Sequence, residues 1–263
     1  MTAFGAPRRH LRVTDSTNER ARELALAGAP GGTVVTADVQ TEGRGRRGRT
    51  WSAPSGKALL CSAILAPLEL RHALLPLTVP IAVCEAVESL APLECHVKWP
   101  NDVLVRQPEM AGAGDPTAGR KDHAGADPDP RWRKLAGVLI EARPPDWAVI
   151  GIGLNLSIEA GELPSDLRRP AASVGHGVEQ AEALAAVCER LGSWIDAPDE
   201  RLREEFARRD ALAGRAVSWE GAGSVAPGSG VAEGIDERGN LTVVTPSGER
   251  LSLGAGEVQL SAE

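Results

Sequence analysis

Two apolar runs, residues 33–37 and 58–65, read as buried strands, and the stretch that joins them is unlike any other part of the chain. Gly43, Gly45 and Gly48 alternate with Arg44, Arg46, Arg47 and Arg49, and Thr50-Trp51 closes the run. A strand at each end fixes where this loop starts and stops while its middle stays free to move. Glycine lets backbone N–H groups face a ligand with no Cβ in the way. Each arginine presents a planar fork that matches a carboxylate or a phosphate. The loop reads as an anion grip, with Trp51 offering a flat face to a purine or an apolar chain. A solvated basic hinge or a nucleic-acid patch would have the same composition.

Charge helps to separate these readings. The 263 residues carry a net charge of −7 with a pI near 5.4, whereas a general nucleic-acid binder needs a surplus of Lys and Arg to displace counterions from phosphates. The basic loop is therefore a local feature. Cys61, Cys84, Cys95 and Cys188 are widely spaced with no C-x-x-C, so buried reduced thiols are expected rather than a disulfide framework or a structural zinc. No apolar run approaches the ~20 residues of a membrane span and the N-terminus lacks a signal-peptide pattern, which predicts a cytoplasmic protein with no membrane partner.

Residues 1–9 read as a poorly ordered polar tail. Ser16-Thr17-Asn18-Glu19 has the spacing of a capping box ahead of a helix over 20–27, and Gln40 arrives at the arginine loop from the first buried strand. Residues 74–90 are apolar nearly all round and predict a buried helix. In Lys98-Trp99-Pro100-Asn101-Asp102 a tight turn joins two short strands; a lysine entering such a turn is either a surface charge or a site charge. Residues 107–131, rich in Gly, Ala, Pro and Asp, predict a disordered surface insertion. Residues 134–141 and 147–157 predict a hairpin turned by Pro144-Pro145. Gly151 and Gly153 lack the third glycine and following helix of a dinucleotide fingerprint, so they imply close backbone approach instead. Amphipathic helices over 179–195 and 199–212 follow. Five short strands after residue 215 then suggest a small barrel, dividing the chain into domains 1–213 and 214–263.

Taken in order, Ser16-Thr17-Asn18, Gln40, the 43–51 loop, Lys98-Trp99-Pro100-Asn101-Asp102, Lys134-Leu135-Ala136-Gly137 and Gly151-Ile152-Gly153-Leu154-Asn155 resemble the biotin protein ligases, from about Val13 to the C-terminus. The resemblance implies an α+β fold: a mixed-sheet catalytic domain related to class II aminoacyl-tRNA synthetases and lipoate ligases, followed by an SH3-like barrel. It implies an enzyme that activates biotin with ATP to biotinyl-5′-AMP, releasing pyrophosphate. Biotin is then passed to a lysine of the biotin carboxyl carrier domain of a carboxylase such as acetyl-CoA carboxylase. A lipoate or octanoate ligase is the alternative within the same superfamily. Bifunctional members carry an N-terminal winged helix; only about a dozen residues precede the Ser16 motif here, so a monofunctional ligase with no DNA partner is expected. The co-substrates are ATP with Mg²⁺, whose protein ligands the sequence does not assign. No tightly bound organic cofactor is expected.

The same resemblance implies that Ser16, Thr17, Asn18, Gln40, Gly43, Arg44, Gly45, Arg46, Lys98 and Gly137 surround biotin. It places Arg46, Arg49, Trp51, Lys98, Asn101, Asn155, Ala172 and Ser173 around ATP. Two anions, the biotin carboxylate and the α-phosphate, must meet, which calls for positive charge set in place beforehand. Lys98 is assigned the bridging charge, and Arg46 and Arg44 the loop's share. Free of ligand, the loop is expected to be mobile and to close over the adenylate.

Overall fold

The structure is a computed structural model that describes residues 3–106, 131–163, 167, 169–221, 225–254 and 258–260. The expected insertion at 107–131 lies outside them apart from Arg131.

Seven strands form the first sheet: β1 (Arg8–Thr14), β2 (Val34–Gln40), β3 (Ala58–Leu65), β4 (Cys95–Lys98), β5 (Asp102–Arg106), β6 (Trp132–Arg143) and β7 (Trp147–Asn155), in the order β1-β2-β3-β7-β6-β5-β4. Only β1 and β2 run parallel; every other neighbour is antiparallel, so the sheet is mixed. Strand β1 corrects the expectation of a loose N-terminal tail. Its outward side chains are mostly exposed and basic, which hides it from a hydrophobic pattern, but its backbone pairs with β2 from Arg8↔Val34 to Thr14↔Gln40.

Alternation along the central strand β7 shows how the sheet divides its labour. Ala148, Ile150, Ile152 and Leu154 face the large core, where α2 (Leu75–Leu90) and α3 (Gln180–Trp194) cover the sheet. Trp147 and Val149 face the other way and pack with Ala21 and Ala25 of α1 (Thr17–Leu26). Continuing on that second face come Gly151, Gly153 and Asn155. A period of two thus places a row of small residues beyond the end of α1, and that gap is where the site lies. Ser16 is the N-cap of α1 but makes no side-chain cap; Glu19, expected to complete the capping box, pairs instead with Arg22 and Arg44.

After α4 (Asp199–Arg209) the chain forms a second, antiparallel sheet of β8 (Ala216–Trp219), β9 (Gly228–Ile235), β10 (Leu241–Val244), β11 (Arg250–Leu253) and β12 (Val258–Leu260), ordered β11-β10-β9-β8-β12. Its inward residues, including Val217, Trp219, Leu241 and Val243, are continuous with the large core. Polar links join it to the first sheet as well: Trp99 Nε1 donates to Gly239 O at 3.0 Å, and Lys98 Nζ donates to Val258 O at 2.7 Å. Among the described residues no helix is long and apolar enough to cross a membrane.

Candidate active site

The floor of the site is the pair β6–β7, and its glycines are forced by what lies on them. A Cβ at Gly151 would stand 2.0 Å from Asn18 Oδ1, and one at Gly153 would stand 2.4 Å from Trp51 Cε2. Gly137, the partner of Gly153 across the strands, would place its Cβ 2.9 Å from Trp51 Cζ3. The two glycines form a flat seat for the indole, and Gly151 makes room for Asn18. The close approach expected of Gly151 and Gly153 is therefore made by side chains arriving from α1 and the arginine loop.

One end of the site is a closed polar network. Gln40 Oε1 accepts from Thr17 N (2.8 Å) and from Thr17 Oγ1 (3.0 Å). Ser62 Oγ lies 2.8 Å from Thr17 Oγ1 and 2.7 Å from Asn18 Oδ1, and Asn18 Nδ2 donates to Glu141 Oε2 at 2.9 Å. Ser16, Thr17, Asn18 and Ser62 are all buried, so these bonds fix rotamers that water would otherwise leave free.

The arginine loop leaves this end as a hairpin. Trp51 N donates to Gly43 O (2.8 Å), Arg44 pairs with Thr50, and Gly45 N donates to Arg49 O (2.7 Å). Arg47 (φ 55°) and Gly48 (φ 72°) turn the tip through the left-handed region. Trp51 is the root of this hairpin on the glycine seat. The loop's arginines diverge. Arg44 lies 3.1 Å from Glu141 and 3.4 Å from Glu19, held back toward the polar network; Arg46 reaches Asn101 Oδ1 at 3.4 Å; Arg47 reaches Gly221 O at 3.2 Å, just past the first strand of the second sheet.

The other end is cationic, and a bulge creates it. Val103 pairs with Ala136 but Leu104 pairs with Lys134, leaving Leu135 as the extra residue of β6. Lys134 and Gly137 are three apart and would point to opposite faces of a regular strand. The bulge brings them to the same face, where a Cβ on Gly137 would stand 3.3 Å from Lys134 Nζ. Lys134 Nζ is 2.6 Å from Asp102 Oδ1 and 5.4 Å from the centre of the Trp51 ring. Burial pushes the Asp102 carboxyl up, but the Lys134, Lys98 and Arg169 charges together outweigh it and hold Asp102 below the usual carboxylate range.

These parts line one cavity of about 550 Å³. Of the residues singled out from sequence, Ser16, Thr17, Asn18, Gln40, Arg44, Gly45, Arg46, Arg49, Trp51, Asn101, Gly137 and Asn155 lie on its wall. Lys98, Gly43, Ala172 and Ser173 do not. Lys98 stands opposite Asp102 in the β4–β5 pair and directs its ammonium to Val258 O, behind the wall. Gly43 closes the hairpin, where a Cβ would stand 2.2 Å from Trp51 O. Ala172 O accepts from Asn155 Nδ2 at 2.9 Å, and Ser173 Oγ donates to Ile158 O at 2.8 Å; Ala171 is the segment's lining residue. Sequence reasoning missed Lys134, Asp102, Gly151 and Arg169 as wall residues.

Comparison with known proteins turns on the same stretch of chain. Residues 10–155, which hold the whole cavity lining except Leu163, Leu167, Arg169 and Ala171, match the biotin/lipoate A/B protein ligase family. The chain belongs to that family. Residues 214–261 match the biotin protein ligase C-terminal domain, whose span covers the second sheet. The biotin–[acetyl-CoA-carboxylase] ligase of Paracoccus denitrificans is 30% identical over 265 residues, covering 94% of this chain and 98% of that protein. The bifunctional ligase/repressor BirA of Bacillus spizizenii is 32% identical over 181 residues, 68% of this chain; the chain thus spans only about half (49%) of that family member's length. Among solved structures, the biotin protein ligase from Aquifex aeolicus in complex with biotin and ATP has a TM-score of 0.75 at 26% identity, over 98% of this chain and 100% of that one. The fold is that of these ligases: a mixed-sheet catalytic region followed by the antiparallel C-terminal sheet.

Proposed function

We propose that the protein is an ATP-dependent biotin protein ligase that forms biotinyl-5′-AMP and transfers biotin to a lysine of a biotin carboxyl carrier domain. What carries this reading is that a neutral hydrogen-bonding pocket and a cationic cluster open into one cavity, side by side on the β6–β7 floor. The ring end of biotin is a cyclic urea with N–H donors and a carbonyl acceptor, which suits the Thr17–Gln40–Ser62–Asn18 network; the dithiolane of lipoate has neither to offer.

Biotin's carboxylate then runs along the floor toward Lys134. There Lys134, rather than Lys98, supplies the bridging charge: its ammonium is already oriented by Asp102 and needs no rearrangement as the pentacoordinate phosphorus gains charge. A donor placed in this way contributes roughly 3 kcal/mol to the barrier reduction. The carboxylate oxygen bonds to the α-phosphorus, the bond to the β-phosphate oxygen breaks, and pyrophosphate leaves. Arg46 and Arg49 are the loop arginines that face the cavity charge; Arg44, held by Glu19 and Glu141, anchors the loop at the biotin end. Trp51 keeps water from the anhydride, and Asn155 with Ala171 borders the nucleotide base. Mg²⁺ enters with ATP as part of the substrate. Among the described wall residues Asp102 is the one carboxylate, and one carboxylate plus phosphate oxygens is an ordinary Mg²⁺ donor set.

In the second step the carrier's lysine amine attacks the acyl carbon and AMP departs with the bonding pair, with no covalent link to the enzyme. The reading is tested by pyrophosphate release from Mg-ATP without any carrier. Release is expected with biotin and not with lipoate or octanoate; equal release with lipoate would overturn the substrate assignment.

A further inference from the structure

We infer that Arg169 holds the departing pyrophosphate during biotin activation, an inference that rests on the ligase reading above. The cavity has a direction. Asn18 lies against Gly151, which pairs with Leu139; Trp51 covers Gly153 and Gly137; Asn155 and Lys134 come next, with Asn155 Nδ2 donating to Lys134 O at 3.3 Å. Arg169 lies beyond Lys134, with Nη1 3.5 Å from Trp132 O at the start of the same strand. At about 3.3 Å per residue, the path from Leu139 to Trp132 is on the order of 20 Å, with the biotin pocket at one end and Arg169 at the other. In phosphoryl and nucleotidyl transfer the attacking and leaving oxygens are roughly in line across phosphorus. A carboxylate arriving from the Asn18 end therefore expels pyrophosphate toward Arg169.

The backbone fixes this side chain relative to Lys134. Lys134 N donates to Pro170 O at 2.8 Å, Ala171 pairs with Lys134, and Ala172 N donates to Lys134 O at 2.9 Å. Arg169 is thus carried on an extra strand-like segment clamped to β6. Its residue is 8% exposed yet lines the cavity. Burial brings its guanidinium down to about 10, which leaves it charged at neutral pH. A partly desolvated fork of this kind binds two phosphate oxygens at once, which a single ammonium cannot do. Lys134 and Arg169 then divide the work: one on the α-phosphate and carboxylate throughout, the other on the leaving group only.

The test separates the half-reactions with wild type, Arg169→Met and Arg169→Lys. Adenylation is followed at varied ATP, with pyrophosphate as product inhibitor. Transfer is followed from pre-made biotinyl-AMP to an apo carrier domain, a step that involves no pyrophosphate. Arg169→Met should raise the pyrophosphate inhibition constant about tenfold or more and raise KM for ATP, while slowing transfer less than about threefold; Arg169→Lys should recover part of the loss. An unchanged pyrophosphate inhibition constant would overturn the assignment. So would equal losses in both half-reactions that Arg169→Lys does not relieve, because that is the signature of a structural role. Wild type that transfers from biotinyl-AMP but releases no pyrophosphate from ATP and biotin would instead sink the adenylation reading itself.

Discussion

The two ends of the cavity are built on opposite principles. At the biotin end, Thr17, Asn18, Gln40, Ser62 and Glu141 satisfy one another, so the pocket is shaped before any ligand arrives. At the phosphate end, Lys134, Arg169 and Lys98 gather around one half-buried carboxylate, Asp102, so positive charge is concentrated before any ligand arrives. The first end selects by geometry. The second selects by field. Changes at the first should therefore act on biotin affinity, and changes at the second on the chemical step.

The largest effect should come from the phosphate end. Lys134→Ala is expected to slow biotinyl-AMP formation about 100-fold or more with biotin affinity changed less than about threefold, since the lost charge acts chiefly in the transition state. Lys98→Ala, which cuts the link to Val258 O, should cost less than about tenfold. Pyrophosphate release under single turnover compares the two, and a reversed ranking would restore Lys98 to the central role.

Gly151→Val breaks the other end. Its Cβ would collide with Asn18, so KM for biotin should rise on the order of tenfold or more while KM for ATP stays within about threefold. A parallel rise in both constants would show that the ends are not independent.

A smaller effect lies at the joint beneath them. Asp210 pairs with Val97 just before the second sheet; Oδ1 accepts from Leu212 N at 2.8 Å, while Oδ2 is buried with no partner among the described residues. Burial pushes this carboxyl up from 3.8 to about 6. An acid whose folded pKa is raised binds a proton more tightly in the folded state, so the contribution of Asp210 to stability is fully present below about 4 and is lost as pH climbs through 6. Asp210→Asn should flatten that decline, recovering up to about 2–3 kcal/mol at pH 7 relative to pH 4. Thermal melts of both proteins across pH would show parallel curves if Asp210 were not the source.

The smallest is Arg47→Ala. Its pair with Glu220, 3.8 Å apart and roughly half exposed on both sides, should be worth under about 1 kcal/mol, leaving melting and both half-reactions nearly unchanged. A marked loss of adenylation would mean that the second sheet steers the loop.

How much of this could be read in the sequence follows the same division. Strands β2, β3 and β7 and helix α2 announce themselves through largely apolar or β-branched runs, and the C-terminal strands through the turn signals between short segments. Ser16-Thr17-Asn18 and Gln40 stood out only through the family resemblance, since the residues alone read as a helix cap and the end of a strand. Strand β1 was not legible, because Arg8 and Arg9 look like the end of a tail, and His10 and Arg12 break any apolar run, until β2 is known to lie beside them. Lys134 was not either. Simple alternation puts it opposite Gly137, and only the bulge at Leu135, set by pairing with β5, turns it into the cavity. Arg169 depends on a segment whose Ala171 pairs with Lys134 from far along the chain and which has no local signal. Lys98, by contrast, had the conspicuous motif, and its ammonium donates to Val258 O of the second sheet.

The account stands or falls on what the protein attaches to what. Purified protein incubated with Mg-ATP and an apo biotin carrier domain, with either biotin or lipoate supplied, can be read by intact mass. The carrier should gain one biotinyl group in the first reaction and remain unmodified in the second. A carrier left at its apo mass with biotin, or one that gains a lipoyl group as readily, would contradict the account.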